Sequence, residues 1–168
     1  MWIQLLHGAG YIHSREVVHC DIKPANVMVK LSGTVCLADL GLLHKAGSNE
    51  RGQCLYTTNY RPWECAVAAG GLVIVAPSMD VWAMACLLYD IAAHGHQNLN
   101  TSLFDGLAAT EHNFDIVRMR GLAIGRCNRY CFRNAGVNQV LKACIVKGGA
   151  RPTISDLLGI HVDLKVSD

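Results

Sequence analysis

Four side chains near the start of the chain have the types and spacing needed for phosphoryl transfer. Asp21, Lys23 and Asn26 fall within six residues, and Asp39 follows thirteen positions after Asn26. A carboxylate such as Asp21 could accept or orient the proton of an attacking hydroxyl, and the Lys23 ammonium could contact the transferred phosphate. The amide oxygen of Asn26 and the carboxylate of Asp39 are hard ligands of the kind that Mg²⁺ prefers. This group therefore predicts phosphoryl transfer from a nucleotide.

Each of these residues also has a purely structural interpretation. An aspartate ahead of a proline-containing turn is commonly a cap or turn residue, and Asp39-Leu40-Gly41 has the composition of a common turn. Gly41 would then let the chain turn away sharply. The four residues together, at this spacing, favour the functional interpretation over four independent turns.

Composition limits the class of protein and its partners. The 168 residues fit one domain, and the net charge of +2 with no long basic run argues against a nucleic-acid partner. The most apolar run, Met79 to Ala93, contains Asp80 and Asp90 and is shorter than the ~20 residues of a membrane span. The N-terminus also lacks the pattern of a signal peptide. We therefore expect neither membrane association nor secretion.

Cysteine usage points to the redox compartment. The eight cysteines are scattered along the chain and form no compact framework. This pattern predicts buried free thiols in a reducing compartment, which would be the cytoplasm or the nucleus.

The spacing of apolar residues predicts a mainly α fold with a small β-hairpin. Helical periodicity covers four segments, which are residues 2–15, 79–93, 137–146 and 153–159. Val27–Val29 and Val35–Leu37 are short β-type runs joined by turn residues, as in a hairpin. We expect a loop at 41–63, and an irregular stretch at 94–135 with weak helical signals at 104–109 and 114–119.

Six short motifs, taken in chain order, carry a family resemblance. They are Leu5–Ser14, His19–Asn26, Ala38–Gly41, Thr57–Glu64, Asp80–Ala83 and Arg151–Thr153. In that order they resemble the end of helix E, the H-R-D-L-K-P-x-N catalytic loop, the D-F-G magnesium motif, T-x-x-Y-R-A-P-E, D-V-W-S and R-P-T of eukaryotic-type protein kinases. The resemblance implies a single partial kinase domain over residues 1–168, from helix E to the final helix. It implies a kinase-like C-terminal lobe, with an activation segment at 39–64.

The resemblance also implies the roles of the site residues. Asp21 would be the catalytic base and Lys23 the phosphate contact, with ATP and Mg²⁺ as cofactors. Asn26 and Asp39 would bind the magnesium, and Met28 would form part of the floor under the adenine. The lysine favours the serine/threonine branch, so the substrate would be a Ser or Thr hydroxyl of another protein.

Five further residues would support the site or hold the activation segment. Thr57 would hydrogen-bond near the catalytic aspartate and lysine. Asp80 would anchor the backbone of the catalytic loop, whose motif begins at His19. Glu64 would pair with Arg151 and so hold the activation segment to the lobe.

The chain departs from the family pattern in its catalytic loop and after the activation segment. Cys20 replaces the arginine that in the family reads a phosphate on the activation segment. Ser48 and Tyr56 are therefore weaker candidates for activating phosphorylation. The stretch 64–80 is longer than usual and includes the apolar run Leu72–Val75.

The family's Gly-rich loop, strand lysine and helix C glutamate have no counterpart in these residues. A nucleotide would therefore be contacted from one side only, without the lobe that covers it in the family. Two interpretations stay open. The chain is part of a serine/threonine kinase whose N-terminal lobe lies on a partner chain or in an upstream segment. Alternatively, it is a catalytically inactive kinase-like binding or regulatory module, or a truncated relic. A partner chain could cover the exposed interface for the N-terminal lobe.

Overall fold

The computed structural model describes residues 1–68, 70–94, 103–104, 116–130, 134–162 and 164. Helices dominate these residues, and their bounds are α1 Trp2–His13, α2 Trp63–Val67, α3 Pro77–His94, α4 Ile116–Tyr130, α5 Ala135–Cys144 and α6 Ile154–Leu158. The four predicted helices are confirmed as α1, α3, α5 and α6. Their ends differ from the predicted ends by no more than two residues.

The strands are short and pair only in twos. They are β1 Val17–Val18, β2 Val27–Val29, β3 Val35–Leu37, β4 His44–Lys45, β5 Asn49–Arg51 and β6 Leu72–Ile74. Strand β1 pairs with β4, β2 with β3 and β5 with β6, and each pairing is antiparallel. The mainly α fold class is therefore confirmed, although the described residues contain three small sheets where one hairpin was expected.

Helix α3 lies at the centre of the core. Every residue from Met79 to Asp90 is buried, and most of them are apolar. A helix that is apolar around its whole circumference must pack on all sides, and α3 contacts α1, α4 and α5. Its length and composition do not make it a membrane span, and the same is true of every other helix in the ranges described above.

The hairpin β2–β3 is confirmed with its predicted bounds. Val27 lies opposite Leu37 and Val29 opposite Val35. Gly33 takes a φ of +79° in the connecting turn, a conformation that favours glycine. Helix α1 holds the hairpin from one side, because the side chain of Gln4 accepts a 2.8 Å hydrogen bond from the Val35 amide.

Two predictions of irregular structure were wrong. Residues 41–63 contain β4, β5 and several short helical turns. The two strands form because their backbone groups pair with β1 and β6, which lie in distant parts of the chain. The irregular stretch predicted at 94–135 contains the 15-residue helix α4, and the weak signal at 114–119 overlaps only its first turn. Most of the other weak signal, at 104–109, lies outside the described residues.

A bidentate ion pair joins α2 to the segment before α6. Arg151 donates from Nη1 and Nη2 to the two carboxylate oxygens of Glu64, at 2.6 Å each. The Arg151 side chain is fully buried, and it also donates to the carbonyls of Ser78, Cys144 and Val146. The guanidinium also lies over the ring of Trp82, with its central carbon 4.9 Å from the ring centre. Among these partners only Glu64 carries a full negative charge, so the buried charge depends on that residue.

We predict that Glu64→Ala lowers the free energy of unfolding by about 3 kcal/mol or more, because it leaves the buried Arg151 charge without its counter-ion. Glu64→Gln, which keeps the shape and one acceptor oxygen, should lose less. Urea unfolding of the two variants beside the parent protein measures both effects. Losses below about 1 kcal/mol for both, the value typical of an exposed ion pair, would contradict this account.

Candidate active site

A buried carboxylate lies beneath the catalytic-loop motif. Asp80, in the first turn of α3, is fully buried. Its Oδ1 accepts hydrogen bonds from the Cys20 amide at 3.1 Å and the Tyr56 hydroxyl at 2.9 Å. Its Oδ2 accepts from the His19 amide and lies 2.8 Å from His13 Nε2, also a donor in this contact. These four donors offset the cost of burying the charge and fix the backbone at residues 19 and 20.

The imidazole of His19 connects the loop to the strand before Asp39. Its Nδ1 accepts a 3.3 Å hydrogen bond from the Asp21 amide, and its Nε2 lies 3.1 Å from the carbonyl oxygen of Ala38. One neutral tautomer, with the proton on Nε2, satisfies both contacts. The ring is fully buried, so it sets the distance between the two halves of the candidate site.

The carboxylate of Asp21 is held from two sides. Oδ1 accepts from the amide of Thr57 at 3.2 Å and from its hydroxyl at 2.9 Å. Oδ2 accepts from Lys23 Nζ at 2.7 Å and from Asn26 Nδ2 at 3.0 Å. Lys23 also donates to the Thr57 hydroxyl at 3.0 Å. The structure therefore brings Thr57 to three residues of the catalytic-loop motif, 36 positions from Asp21 in the sequence.

These contacts decide the charge state of Asp21. Burial by itself raises the pKa of the carboxyl, but the hydrogen bonds from Lys23, Thr57 and Asn26 and the lysine charge outweigh burial and lower it. The group is therefore an anion at neutral pH and a weak proton acceptor. Its geometry suits orienting a hydroxyl better than fully removing its proton.

Asn26 and Asp39 lie on opposite sides of the end of the β2–β3 hairpin. Asn26 comes just before β2, and the amide of Ala38, just after β3, donates to the Asn26 carbonyl at 2.8 Å. The Asn26 side chain uses its Nδ2 group on Asp21, donating to the Oδ2 and to the carbonyl oxygen. Its amide oxygen and the exposed Asp39 carboxylate are hard oxygen donors of the kind that fits Mg²⁺, and the Asn26–Ala38 bond brings the two residues to the same end of the hairpin.

The sharp turn predicted at Gly41 is made by Asp39. Asp39 has a φ of +58° and a ψ of +77°, in the left-handed region, whereas Gly41 is not among the glycines with positive φ. Aspartate tolerates this conformation because its carboxylate can bond locally, and Oδ1 accepts from the Gly41 amide at 3.4 Å. A Cβ at Gly41 would lie 3.2 Å from that oxygen. The glycine therefore keeps space for the carboxylate rather than providing the turn.

Exposed apolar side chains occur on the hairpin and next to Asp39. Met28 on β2, the predicted adenine floor, is 55% exposed, and Leu40 beside Asp39 is also 55% exposed. Val29 and Leu31 on the same hairpin are exposed as well. Met28 and Val29 are consecutive on β2 and point to opposite faces of the hairpin, and Leu31 lies near its turn. Exposed apolar side chains such as Met28 and Leu40 are typical of a surface that another molecule or chain covers.

Sequence reasoning missed the contacts of His13 and Tyr56 with Asp80. These residues lie 67 and 24 positions from it, and no local pattern connects them. Nor do the described residues contain a cluster of three or more His, Cys, Asp or Glu side chains that could bind a metal by itself. A magnesium centre at Asn26 and Asp39 would thus depend on phosphate oxygens for the rest of its ligands, as is usual for this ion.

Comparison with known proteins places this site in a family. The sequence profile described as "Protein kinase domain" matches residues 1–157. The chain is 33% identical over 123 residues to "Cyclin-dependent kinase 2" of Caenorhabditis elegans, which covers 72% of this chain and 31% of that protein. It is 37% identical over 98 residues to "Serine/threonine-protein kinase SSN3" of Kluyveromyces lactis, covering 54% of this chain and 16% of that protein.

A third relative gives a similar match. "Cyclin-dependent kinase-like 2" of Oryctolagus cuniculus is 30% identical over 133 residues, or 78% of this chain and 22% of that protein. The matched part of this chain thus corresponds to less than a third of the length of each of these three relatives.

We predict that the Asp21 carboxyl titrates below the ordinary aspartate pKa of about 3.9. A lowered native pKa means that ionised Asp21 stabilises the fold above about pH 4, and that this contribution is lost as the pH falls through the native value. Carbon-13 NMR of the carboxyl measures the midpoint directly. Lys23→Met should move the midpoint upward, whereas Lys30→Met, on the exposed hairpin turn, should not. A parent midpoint at or above 3.9 would contradict the contacts described here.

Proposed function

Since the chain belongs to the protein kinase family, we propose that it provides the catalytic-loop and magnesium-binding part of a protein serine/threonine kinase. The reaction would be transfer of the ATP γ-phosphate to a Ser or Thr hydroxyl of a protein substrate. One observation carries the proposal: Lys23, Thr57 and Asn26 hold the Asp21 carboxylate. The backbone hydrogen bond from Ala38 to Asn26 brings the next residue, Asp39, with its exposed carboxylate, to the same end of the hairpin. A carboxylate, an ammonium group and two oxygen ligands are what phosphoryl transfer requires.

The acceptor hydroxyl would bind at Asp21. Each carboxylate oxygen already accepts two hydrogen bonds, so an incoming hydroxyl must replace one donor. Lys23 is the donor most easily replaced, because its Nζ is partly exposed and can move to a phosphate oxygen. The Thr57 and Asn26 contacts would then keep the carboxylate in place. Little proton abstraction is needed in a loose phosphoryl-transfer transition state, which agrees with the lowered pKa of Asp21.

The oxygen donors at the end of the hairpin would hold the metal and the nucleotide. Asn26 Oδ1 and the Asp39 carboxylate would be the protein ligands of Mg²⁺, and Met28 would contact the adenine. When bound, Mg²⁺ would neutralise charge on the phosphates. Asp39 itself is fixed by its left-handed backbone and the bond from Gly41, so the carboxylate is oriented before any ligand arrives.

The exposed apolar side chains of the hairpin and of Leu40 favour a covering structure. Met28, Val29, Leu31 and Leu40 are each more than half exposed. We propose that a nucleotide-binding lobe, on a partner chain or in further sequence of the same protein, covers Met28 and Leu40. A kinase-like module that binds a partner here without catalysis is the second candidate, and the same exposed side chains favour it.

The thiols support a proposal for the compartment. All seven cysteines in the described part of the chain are free, and five of them are buried. Free thiols of this kind are typical of a reducing compartment, so we propose the cytoplasm or the nucleus.

Binding of Mg-ATP tests the proposal. We predict that Mg-ATP raises the melting temperature of the parent protein, with a stabilisation of about 2.7 kcal/mol at one hundred times Kd. Asp39→Asn should abolish the shift because it removes the charged metal ligand. Glu16→Gln, which neutralises an exposed carboxylate just before β1, should leave the shift intact.

No shift for the parent protein at millimolar Mg-ATP would contradict nucleotide binding by these residues and favour the non-catalytic module. An equal shift for Asp39→Asn would show that the nucleotide binds elsewhere. Repeating the titration with ATP and excess EDTA separates the metal-dependent part of the shift from the rest.

A further inference from the structure

We propose that Tyr56 is a positioning residue that connects segment 39–64 to the catalytic loop through Asp80, so that the order of this segment does not depend on a phosphate group. This inference deepens the proposed function and rests on it for the role of Asp21. Its test needs no phosphoryl transfer, so either idea can fail without the other.

Tyr56 is fixed at three points. Its amide donates to the Cys20 carbonyl at 2.9 Å, its hydroxyl donates to Asp80 at 2.9 Å, and its carbonyl accepts from Arg61 at 3.0 Å. Its backbone is left-handed with a φ of +59°, a conformation that costs energy for a bulky residue and persists only when the surroundings enforce it. The next residue, Thr57, holds the Asp21 carboxylate.

The hydroxyl of Tyr56 remains a donor over the whole working pH range. Burial, followed by the nearby Asp80 charge, raises its pKa well above the ordinary value. The side chain is only 3% exposed. The bond to Asp80 is therefore a neutral donor to a buried carboxylate, the stronger class of protein hydrogen bond.

Cys20, the loop residue whose amide also donates to Asp80, cannot bind a phosphate group carried by the segment. Cys20 is fully buried, and burial together with the Asp80 charge raises the pKa of its thiol to about 12. A neutral thiol has no charge with which to pair a phosphate. In its place the Tyr56 phenol, reaching back from segment 39–64, forms the connection between that segment and the loop.

Strand pairing holds the rest of the segment. Strand β4 pairs with β1, which directly precedes the catalytic loop, and β5 pairs with β6, the apolar insertion. Between them, Gly47 and Ser48 exchange backbone hydrogen bonds with Val75, at 2.8 and 2.9 Å. Ser48 Oγ is buried without a hydrogen-bond partner, so it is not accessible for phosphorylation in this arrangement.

Amide hydrogen exchange on protein shown by mass spectrometry to carry no phosphate tests the proposal. In the parent chain, the amides of Tyr56, Thr57 and Val75 should be protected. In Tyr56→Phe, which removes one oxygen atom, exchange at residues 19–21 and 55–57 should rise about tenfold or more, the effect of losing one charge-assisted hydrogen bond. Amides in α5 should not change. Tyr11→Phe, at a ring 63% exposed, is the matched control and should change neither region.

A spectroscopic measurement separates positioning from general stability. In Tyr56→Phe the carboxyl carbon-13 shifts of Asp80 and Asp21 should both move, whereas in Tyr11→Phe neither should. Unprotected amides at 55–57 in the unphosphorylated parent protein would overturn the proposal. So would a Tyr56→Phe variant with unchanged exchange, or one whose exchange rises equally in α5. If the variant fails to fold, the measurement on the parent protein still tests whether the segment is ordered without a phosphate group.

Discussion

The buried charge of Asp80 is the constraint on which the rest of the structure depends. A carboxylate without access to water is tolerated only when donors surround it. The donors come from α1 (His13), the catalytic loop (His19 and Cys20) and segment 39–64 (Tyr56). These three elements therefore meet α3 at the two carboxylate oxygens of Asp80. The position in the first turn of α3 adds a favourable interaction with the helix dipole.

The site chemistry follows from this anchor. With residues 19 and 20 fixed, Asp21 emerges beside Thr57, and the His19 ring sets the distance to Ala38 and hence to Asp39. A second buried charge, Arg151, donates to the carbonyl of Ser78 at the start of the same helix and to Glu64 at the end of segment 39–64. Tyr56 and Glu64, both in the second half of the segment, are thus connected to the beginning of α3, Tyr56 through Asp80 and Glu64 through Arg151.

The parts of the fold that depend on local pattern could be predicted from the sequence. Two short β-type runs separated by turn residues predicted the bounds of the β2–β3 hairpin, and the continuous apolar run predicted α3. Strands β4 and β5 could not be predicted, because the residues that pair with them are 26 to 28 and 21 to 25 positions away in the sequence. The Tyr56–Asp80 contact was missed for the same reason. The turn at Asp39 was assigned to Gly41, since glycine is the usual left-handed residue and aspartate the exception.

The central claim is that Asn26, Asp39 and the held Asp21 carboxylate form one site for a metal–nucleotide complex. Its most direct test is paramagnetic NMR with Mn²⁺-ATP, because broadening by the metal falls off steeply with distance. The account predicts that the side-chain amide of Asn26 and the amides of residues 39–41 broaden first, while the Gly33 turn at the other end of the hairpin stays sharp. Broadening that leaves Asn26 and Asp39 untouched, or that is equal at both ends of the hairpin, would contradict it.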